Sequence, residues 1–467
     1  MIPIKFAIAG NTSSNKSTQF DPALSYNVYI SKADNGRIGT HDFPGLKAFG
    51  TQAGVDRGFH VMANTLYKIC GTSLYSVSSA GTYTSIGTVS GSGRAVFADD
   101  GDTLGFVADG IIYKYASGSL STVTQSVITG VKWVALINNQ WIIGGANQQF
   151  AVSDAGTIDT WNALNFAAAE QIGDDLVRGY VFSSLLYLLG SESTEPWYNS
   201  GVGNPPFDRQ DTALVNTGIA GVHAVSNTDQ YMYWLGNDRK VYQCIGASAR
   251  TVSTPGIYNM LSKMSTVSDC IVSTFTFEGQ DMVLFQFPTS AKTLLYSETF
   301  DYWVELGGGS SYQKYRWYGN AVIACYGKNM VADYRNGNVY ELDIDTFKDN
   351  GETRYRVRQF PVAVGEAAGL AGRRITVCQL RLNMQRGVGL ATGQGSDPLL
   401  MCYLSPDGGH TWEPEEQVSI GRLGNYVEPV DVYQFTTGYE IVAKIACTDP
   451  VHLSMWDGIA YVVDAGY

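Results

Sequence analysis

A short segment near the C-terminal end of the chain carries residue types whose side chains can fix a tight turn. Its defined positions follow the pattern S-x-D-x-G-x-T-W, and they are Ser405, Asp407, Gly409, Thr411 and Trp412. Asp and Ser side chains hydrogen-bond the backbone of a tight hairpin, Gly supplies a positive φ, and Trp packs beneath the turn. The pattern, an Asp-box, therefore predicts a structural hairpin.

The same motif leaves a second interpretation open, because sialidases carry several Asp-boxes together with an arginine cluster and a Tyr–Glu nucleophile pair. This chain has one copy, and it lies outside the repeated region described below. A motif without its structural context is only a hypothesis about function. We keep a glycan-binding or sialidase-like β-propeller, acting on host surface carbohydrate, as the alternative function. It predicts an aromatic-lined pocket with convergent polar groups.

Other residues whose side chains could act in catalysis or bind a metal do not form a catalytic or metal-binding set. The five histidines are scattered without metal-ligand spacing, and the seven cysteines include no C-x-x-C pair. Asp99, Asp100 and Asp102 surround Gly101, but Asp-Gly between strands is the common hairpin turn, and the ligand order of an EF-hand is absent. We expect no catalytic residue, no metal and no cofactor, and hence no enzyme.

Three arginines at alternate positions, Arg354, Arg356 and Arg358, form a basic group. Residues two apart on a strand point to the same side, so these guanidinium groups are predicted to line one strand face. Such a face can meet an acidic partner or water. We favour a contact with a partner for this basic strand.

The charge balance distinguishes two relations to nucleic acid. With 31 Lys and Arg against 43 Asp and Glu, the formal net charge is −12, which argues against a surface that holds DNA by neutralising its phosphates. Like charge on a wall would instead keep a passing polyanion from sticking to it.

No apolar run reaches the roughly 18 residues that a transmembrane helix needs. We expect the chain to fold in a cytoplasm.

The strands that must position these side chains are predicted from a repeated sequence motif. The motif is a turn residue followed by an apolar residue and an aromatic residue. It recurs at intervals of 37 to 54 residues, which is typical of propeller blades. Gly and Tyr are frequent, at 52 and 29 residues, and 16% of residues are charged, as many short strands and tight turns require. The aromatic positions are Tyr75, Tyr113, Phe150, Tyr198, Tyr242, Tyr296 and Tyr340.

We predict an all-β protein in three parts. An N-terminal arm covers residues 1–50, an irregular β-propeller of about six to seven blades covers residues 51–345, and a C-terminal β-sandwich or jelly-roll domain covers residues 350–467. A charged linker after the repeats marks the second boundary. Helical signal is sparse, and its two short candidates are residues 166–171 and 256–268.

Nine short segments, spread over most of the chain, are similar to one known family. They are Phe43–Leu46, Val55–Gly58, Leu66–Tyr75, Gly91–Arg94, Ser183–Tyr198, Asn216–Gly221, Leu404–Trp412, Gly421–Gly424 and Thr448–Val451. Together they resemble the packaged-DNA stabilisation proteins of short-tailed bacteriophages, also called tail hub or nozzle proteins. The sequence departs from the family in its N-terminal arm and around residues 387–396.

The resemblance implies a virion component of the phage tail, assembled in the host cytoplasm, that forms a homo-oligomeric ring, usually a hexamer. Such a ring would lie below the portal-adaptor ring, extend the DNA exit channel and retain packaged DNA. DNA would pass through its lumen without specific binding. The resemblance also implies a tail needle or plug and a tail fibre or tailspike as partners.

Overall fold

The computed structural model describes residues 1–14, 17, 21–145, 148–169, 172–210, 214–246, 248–309, 312–364, 369–370 and 372–466, without the side chains of residues 363 and 364. In these residues the chain forms 41 strands and one short α-helix. The predicted all-β class, with an irregular propeller followed by further C-terminal sheets, is confirmed.

The first 50 residues contribute strands to three different sheets. The strands are β1 (Ile2–Ala7), β2 (Leu24–Tyr26), β3 (Val28–Lys32), β4 (Ile38–Asp42) and β5 (Gly45–Gly50). Only β3 and β4 pair with each other, as an antiparallel hairpin, and the other three strands find partners far along the sequence. The strands of the N-terminal arm therefore belong to sheets whose other strands come from later parts of the chain.

Seven antiparallel meanders follow, and the first four are consecutive four-stranded sheets. Their strands alternate between tight turns and short apolar runs, as β-branched and aromatic residues between Gly and Asn favour. The strands are β6 (Asp56–Met62), β7 (Thr65–Cys70), β8 (Ser73–Val77), β9 (Tyr83–Thr88), β10 (Val96–Asp99), β11 (Thr103–Ala108), β12 (Ile111–Ala116), β13 (Ser119–Val123), β14 (Trp133–Ile137), β15 (Gln140–Gly144), β16 (Gln149–Val152), β17 (Phe166–Ala168), β18 (Leu176–Phe182), β19 (Leu185–Gly190), β20 (Thr194–Asn199) and β21 (Phe207–Arg209).

The last three meanders contain the helix and a short extra strand. The helix α1 (Pro255–Ser262) begins after Thr254, whose side chain accepts the N–H of Ile257 as an N-cap. The strands are β22 (Val225–Asn227), β23 (Met232–Leu235), β24 (Val241–Ile245), β25 (Ser248–Thr251), β26 (Ile271–Phe277), β27 (Gln280–Phe287), β28 (Lys292–Ser297), β29 (Tyr302–Gly308), β30 (Tyr315–Arg316), β31 (Gly319–Cys325), β32 (Lys328–Asp333) and β33 (Val339–Asp343).

The first strands of the meanders stand side by side around one axis. Strand β10 lies between β6 and β14, β14 contacts β18, and β26 lies between β22 and β31. The hydroxyl of Tyr180 on β18 donates to the side-chain oxygen of Asn227 on β22 at 2.7 Å. Strand β31 contacts β6 and completes the ring. Six of the meanders are separate four-stranded sheets, whereas β26–β29 belongs to a ten-stranded sheet.

The ring is closed by pairing between the two ends of the propeller sequence. Strands β31, β32 and β33 supply three strands of the last meander, and β5 supplies the fourth. In this pairing Leu46 lies opposite Leu342, and Ala48 lies opposite Tyr340. A propeller needs such closure because one meander cannot bury both of its faces.

Large aromatic side chains fill the spaces between neighbouring meanders. Trp133 on β14 is fully buried, and its indole ring lies against the backbone of the next meander at Gly179. A Cβ atom at position 179 would be 2.2 Å from that ring. Glycine is therefore required where the ring passes between the two sheets.

The C-terminal region forms two sheets that share one apolar core. The core includes Phe6 from β1 and buried side chains of both sheets. One sheet contains seven strands and the other is the ten-stranded sheet. The strands of this region are β34 (Arg356–Val364), β35 (Arg374–Met384), β36 (Leu399–Ser405), β37 (Glu416–Ser419), β38 (Val430–Val432), β39 (Thr436–Gly438), β40 (Glu440–Cys447) and β41 (Ser454–Gly466).

The short strand β2 connects the propeller to the C-terminal region. It pairs in parallel with β29 of the sixth meander and antiparallel with β34, so one sheet runs without a break from β26 to β37. Asn27, the next residue, has a φ of +55°, and its side-chain amide bonds both the N–H and the carbonyl of Gly307 at 2.9 Å. These bonds extend the pairing beyond β2.

The two helix predictions have different outcomes. The segment 256–268 does contain helix, over the shorter span of α1, whereas residues 166–168 form the edge strand β17, so the first candidate is wrong there. Residues 170 and 171 lie outside the described set. The three-part division of the chain stays a prediction. Strand β5 lies before its first boundary but pairs within the propeller.

Candidate functional site

The Asp-box forms the turn after β36, and its side chains satisfy the backbone of that turn. Ser405 Oγ donates to Asp407 Oδ1 at 2.8 Å and accepts the N–H of Gly409 at 2.8 Å. Asp407 accepts the N–H of Thr411 at 2.8 Å and the hydroxyl of Thr411 at 2.7 Å. Gly409 has a φ of +97°, which residues with a Cβ rarely adopt.

The turn holds Asp407 in its ionised form. Burial alone would raise the pKa of this carboxyl, but hydrogen bonds from Thr411, Ser405 and the N–H of His410 lower the pKa to about 2. The ring of Trp412 lies 4.4 Å from Nζ of Lys444. Because both oxygens of Asp407 are used within the loop, we propose a structural role for the motif.

The basic strand, for which we favoured a contact with a partner, lies inside the protein. Arg354, Arg356 and Arg358 are only 2%, 1% and 3% exposed. Arg356 lies 3.9 Å from the carboxylate of Asp42, a residue of the N-terminal arm. The alternating spacing indicated that these side chains share a face, but it could not indicate that the arm covers that face.

The other two arginines also bind the arm, through its backbone carbonyl groups. Arg354 Nη1 donates to the carbonyl of Pro44 at 2.7 Å, and Arg358 Nη1 donates to the carbonyl of Leu24 at 2.9 Å. Burial lowers the pKa of Arg358 to about 9, which still leaves the group protonated at neutral pH. The basic strand therefore contacts the N-terminal arm of the same chain, and Arg356 also donates to the carbonyl groups of Val451 and Asp449 in the C-terminal region.

A buried polar cluster lies at the propeller axis, with Asp56 of β6 at its centre. Asp56 Oδ1 accepts Lys68 Nζ at 2.7 Å, and Oδ2 accepts Asn320 Nδ2 at 2.8 Å and Arg94 Nη1 at 3.2 Å. Burial would raise the pKa of Asp56, but Lys68 and Arg94 hold it below its ordinary value. One carboxylate thus forms ion pairs with two cations.

A cavity of about 140 Å³ lies on the axis beside this cluster, with walls from five of the meanders. Four basic side chains line it: His60, Arg94, Arg178 and His223. His60 Nε2 is 2.6 Å from Asp99 Oδ2. The Nε and Nη1 atoms of Arg178 are buried and have no hydrogen-bond partner among the described residues.

Neither Arg178 nor His223 belongs to a motif that is recognisable in the sequence. Arg178 is the charged residue within the otherwise uncharged strand Leu176–Phe182, which is a weak signal for a buried functional group. His223 is one of five histidines that are scattered in the sequence. Only the closure of the ring brings the two residues together.

A larger cavity of about 740 Å³ is lined by parts of the arm, α1 and the sixth meander. Tyr312 is the single aromatic residue in this lining, as far as the described residues go. The charged members of the lining are Asp21, Lys263, Lys292 and Glu305. This cavity does not have the aromatic walls that the glycan-binding alternative predicts.

Within the described ranges, no group of three or more His, Cys, Asp or Glu side chains is placed to hold a metal ion. The segment from Asp99 to Thr103 is a turn, in which Asp99 Oδ1 accepts the N–H of Gly101 at 3.0 Å and Asp100 Oδ1 accepts that of Thr103 at 2.6 Å. None of the helical structure in those ranges is long and apolar enough to span a bilayer.

Comparison with known proteins links the chain to one family. A protein-family model for phage stabilisation proteins, described as Bacteriophage P22 Gp10, beta-propeller, matches residues 1–347 of the 467. No curated protein matches the chain.

Three solved structures illustrate a weak likeness in shape. The computationally designed Ika8 protein is 12% identical, with a TM-score of 0.39, over 72% of this chain and 100% of that one. The extracellular domain of the putative one-component system BT4673 from B. thetaiotaomicron is 10% identical, with a TM-score of 0.45, over 82% and 48%. BamB from Moraxella catarrhalis is 11% identical, with a TM-score of 0.39, over 71% and 97%. These likenesses carry no information on function.

Proposed function

Because the chain belongs to the phage stabilisation family of bacteriophage β-propeller proteins, we propose that it is the tail hub or nozzle of a short-tailed virion. In this role, a homo-oligomeric ring, a hexamer, lies below the portal-adaptor ring and extends the DNA exit channel. The ring retains packaged DNA until ejection. The observation that carries the proposal is the family match over residues 1–347.

The continuous sheet that joins the propeller to the C-terminal region supports a role in which the protein bears mechanical load. A single ten-stranded sheet runs from the sixth meander through β2 into the C-terminal region. The buried arginines Arg354 and Arg358 fasten the arm to the same region. A propeller joined in this way resists separation of its parts, because every opening would expose unpaired backbone groups.

The charge of the chain supports a conduit more than a DNA-binding surface. A net charge of −12 keeps the polyanion from adhering to the wall along which it slides. We propose a structural protein without catalytic activity, made in the host cytoplasm and built into the virion tail. A tail needle or plug and a tail fibre or tailspike are its further partners in this proposal.

The test is a phage that carries an amber codon early in the gene, grown in suppressing and non-suppressing hosts. Particles from the non-suppressing host are expected to package DNA and then lose it, which is measured as the ratio of full to empty heads. Cryo-electron microscopy of particles from the suppressing host is expected to show a symmetric ring of this chain at the portal vertex. Mutant particles that keep their DNA, or a vertex without the chain, would overturn the proposal.

A further inference from the structure

The axial cavity lies beside a group of side chains in which positive charges outnumber negative ones. The single negative charge of Asp56 is shared by Lys68 and Arg94, so these three groups together carry one net positive charge. The side chains of Asp56 and Lys68 have no exposed surface. Solvent therefore screens this excess poorly.

Two further guanidinium groups add to the excess. Arg316 Nη1 donates to the neutral oxygens of Asn320 and Gln286, at 3.1 and 3.2 Å. Arg178 contacts the ring of Tyr180, with 5.9 Å between the guanidinium carbon and the ring centre. Burial lowers the pKa of Arg178 and that of Arg316 to about 10, so both groups stay protonated at neutral pH.

Among the described residues, the carboxylates that interact with these basic groups are fewer than the cations. Asp269 interacts electrostatically with Arg316, and Asp99 is bonded to His60. The four cations Lys68, Arg94, Arg178 and Arg316 outnumber the three carboxylates of Asp56, Asp99 and Asp269. A buried charge without a partner is costly. The cavity wall is therefore suited to a bound anion.

The geometry points to an oxyanion, and we propose that the axial cavity binds free inorganic phosphate or sulfate, with Arg178 and Arg94 as its ligands. The Nε and Nη1 atoms of Arg178 are hydrogen-bond donors without a partner among the described residues, and guanidinium groups are favoured ligands of phosphate. The cavity, at about 140 Å³, exceeds the roughly 10–15 Å³ that one water needs. It therefore has room for a five-atom ion.

His223 is placed to respond to the anion. Burial and the nearby charges of Arg94 and Arg178 hold the pKa of His223 well below its ordinary value, so the ring is neutral without a ligand. An anion beside it offsets the repulsion from the two arginines and allows the ring to donate a further hydrogen bond. The cavity is within reach of solvent, because the side chains of His60 and Arg94 are 25% and 17% exposed.

The bound anion would connect three meanders across the axis. Arg94 precedes β10 of the second, Arg178 lies on β18 of the fourth, and His223 precedes β22 of the fifth. Binding to the folded state alone stabilises that state in proportion to the logarithm of the ligand concentration. The site therefore makes the stability of the propeller dependent on the oxyanion.

The test compares the full-length wild type with Arg178→Gln in phosphate-free buffer, titrated with sodium phosphate and, separately, with sodium chloride at equal ionic strength. Calorimetry is expected to show saturable phosphate binding at one site per wild-type chain, and the Tm of the wild type to rise by about 1 °C or more. Arg178→Gln is expected to lose both effects without a lower Tm in phosphate-free buffer, because a buried charge with two unpartnered donor atoms is gone. Arg374→Gln, which changes an exposed arginine on β35, is the matched control and keeps both effects.

Three results would overturn the proposal. The first is an equal, unsaturable rise in Tm for all three proteins, which is the general effect of an excluded salt. The second is phosphate binding that Arg178→Gln retains. The third is binding of a short single-stranded oligonucleotide that depends on Arg178 when free phosphate does not bind. If Arg178→Gln does not fold, the absence of saturable phosphate heat in the wild type decides against the site.

Discussion

Arg358 donates a hydrogen bond to the backbone carbonyl of Leu24, 2.9 Å away and 334 residues earlier in the chain. The same guanidinium group also donates to the carbonyl of Ile8. One buried side chain of β34 therefore holds two points of the N-terminal arm, on either side of the segment 15–20. The arm is fixed by hydrogen bonds as well as by apolar packing.

Arg358→Gln is expected to loosen this attachment. The shorter amide cannot reach both carbonyl groups, and a buried acceptor without a donor costs about 1–3 kcal/mol. We expect the free energy of unfolding to fall by that amount in urea denaturation, with faster proteolytic cleavage within residues 1–24. Arg374→Gln on the exposed end of β35 should stay within about 0.5 kcal/mol of the wild type. Equal stability of the two variants would show that the bonds of Arg358 do not hold the arm.

The repeated aromatic positions show how much of this fold is encoded locally. All seven, from Tyr75 on β8 to Tyr340 on β33, lie on the third strand of successive meanders. A tight turn before an apolar–aromatic pair is enough to identify such a strand, because both signals lie within a few residues. The irregular propeller could therefore be predicted without any knowledge of distant contacts.

The distant pairings and the axial cavity could not be predicted in this way. Strand β2 has three residues and pairs with β29 and β34, and nothing in three residues specifies partners so far along the chain. The alternation of Arg354, Arg356 and Arg358 predicted a shared strand face but gave no indication that the three side chains are buried. Arg178 acquires its role only when β18 is placed beside the other first strands.

Asn27 offers a test of the connection between the propeller and the C-terminal region. Its amide bonds both backbone groups of Gly307 and donates to the carbonyl of Tyr355 at 2.7 Å. Asn27→Gly removes these bonds but allows the φ of +55°, and it is expected to cost about 2 kcal/mol or more. Asn27→Ala adds the left-handed strain, about 1 kcal/mol. The measurement is urea unfolding of both variants. If the backbone at position 27 relaxed to a negative φ, Asn27→Ala would instead be the more stable of the two.

Leu46 tests the closure of the propeller by β5. This residue has no exposed surface and lies opposite Leu342 in the last meander. Leu46→Ala is expected to lower the free energy of unfolding by about 2–5 kcal/mol, because it leaves a cavity at the joint that completes the ring. Leu423→Ala makes the same change at a site that is 64% exposed and should have little effect. Similar thermal unfolding of the two variants would show that the ring does not depend on this joint.

Asp407 gives the Asp-box turn a dependence on pH that can be measured. Its pKa is about 2 in the folded chain, against an ordinary value of 3.8, so the ionised carboxylate stabilises the fold. This contribution is complete above the unfolded value and is lost as the pH falls through the folded value. Asp407→Asn is therefore expected to be less stable than the wild type at pH 6 by about 1 kcal/mol, with a smaller difference at pH 3. Urea unfolding at both pH values measures this change. Asp229→Asn, at an exposed position, should show no such convergence, and a difference for Asp407→Asn that stays constant with pH would contradict the role of its charge.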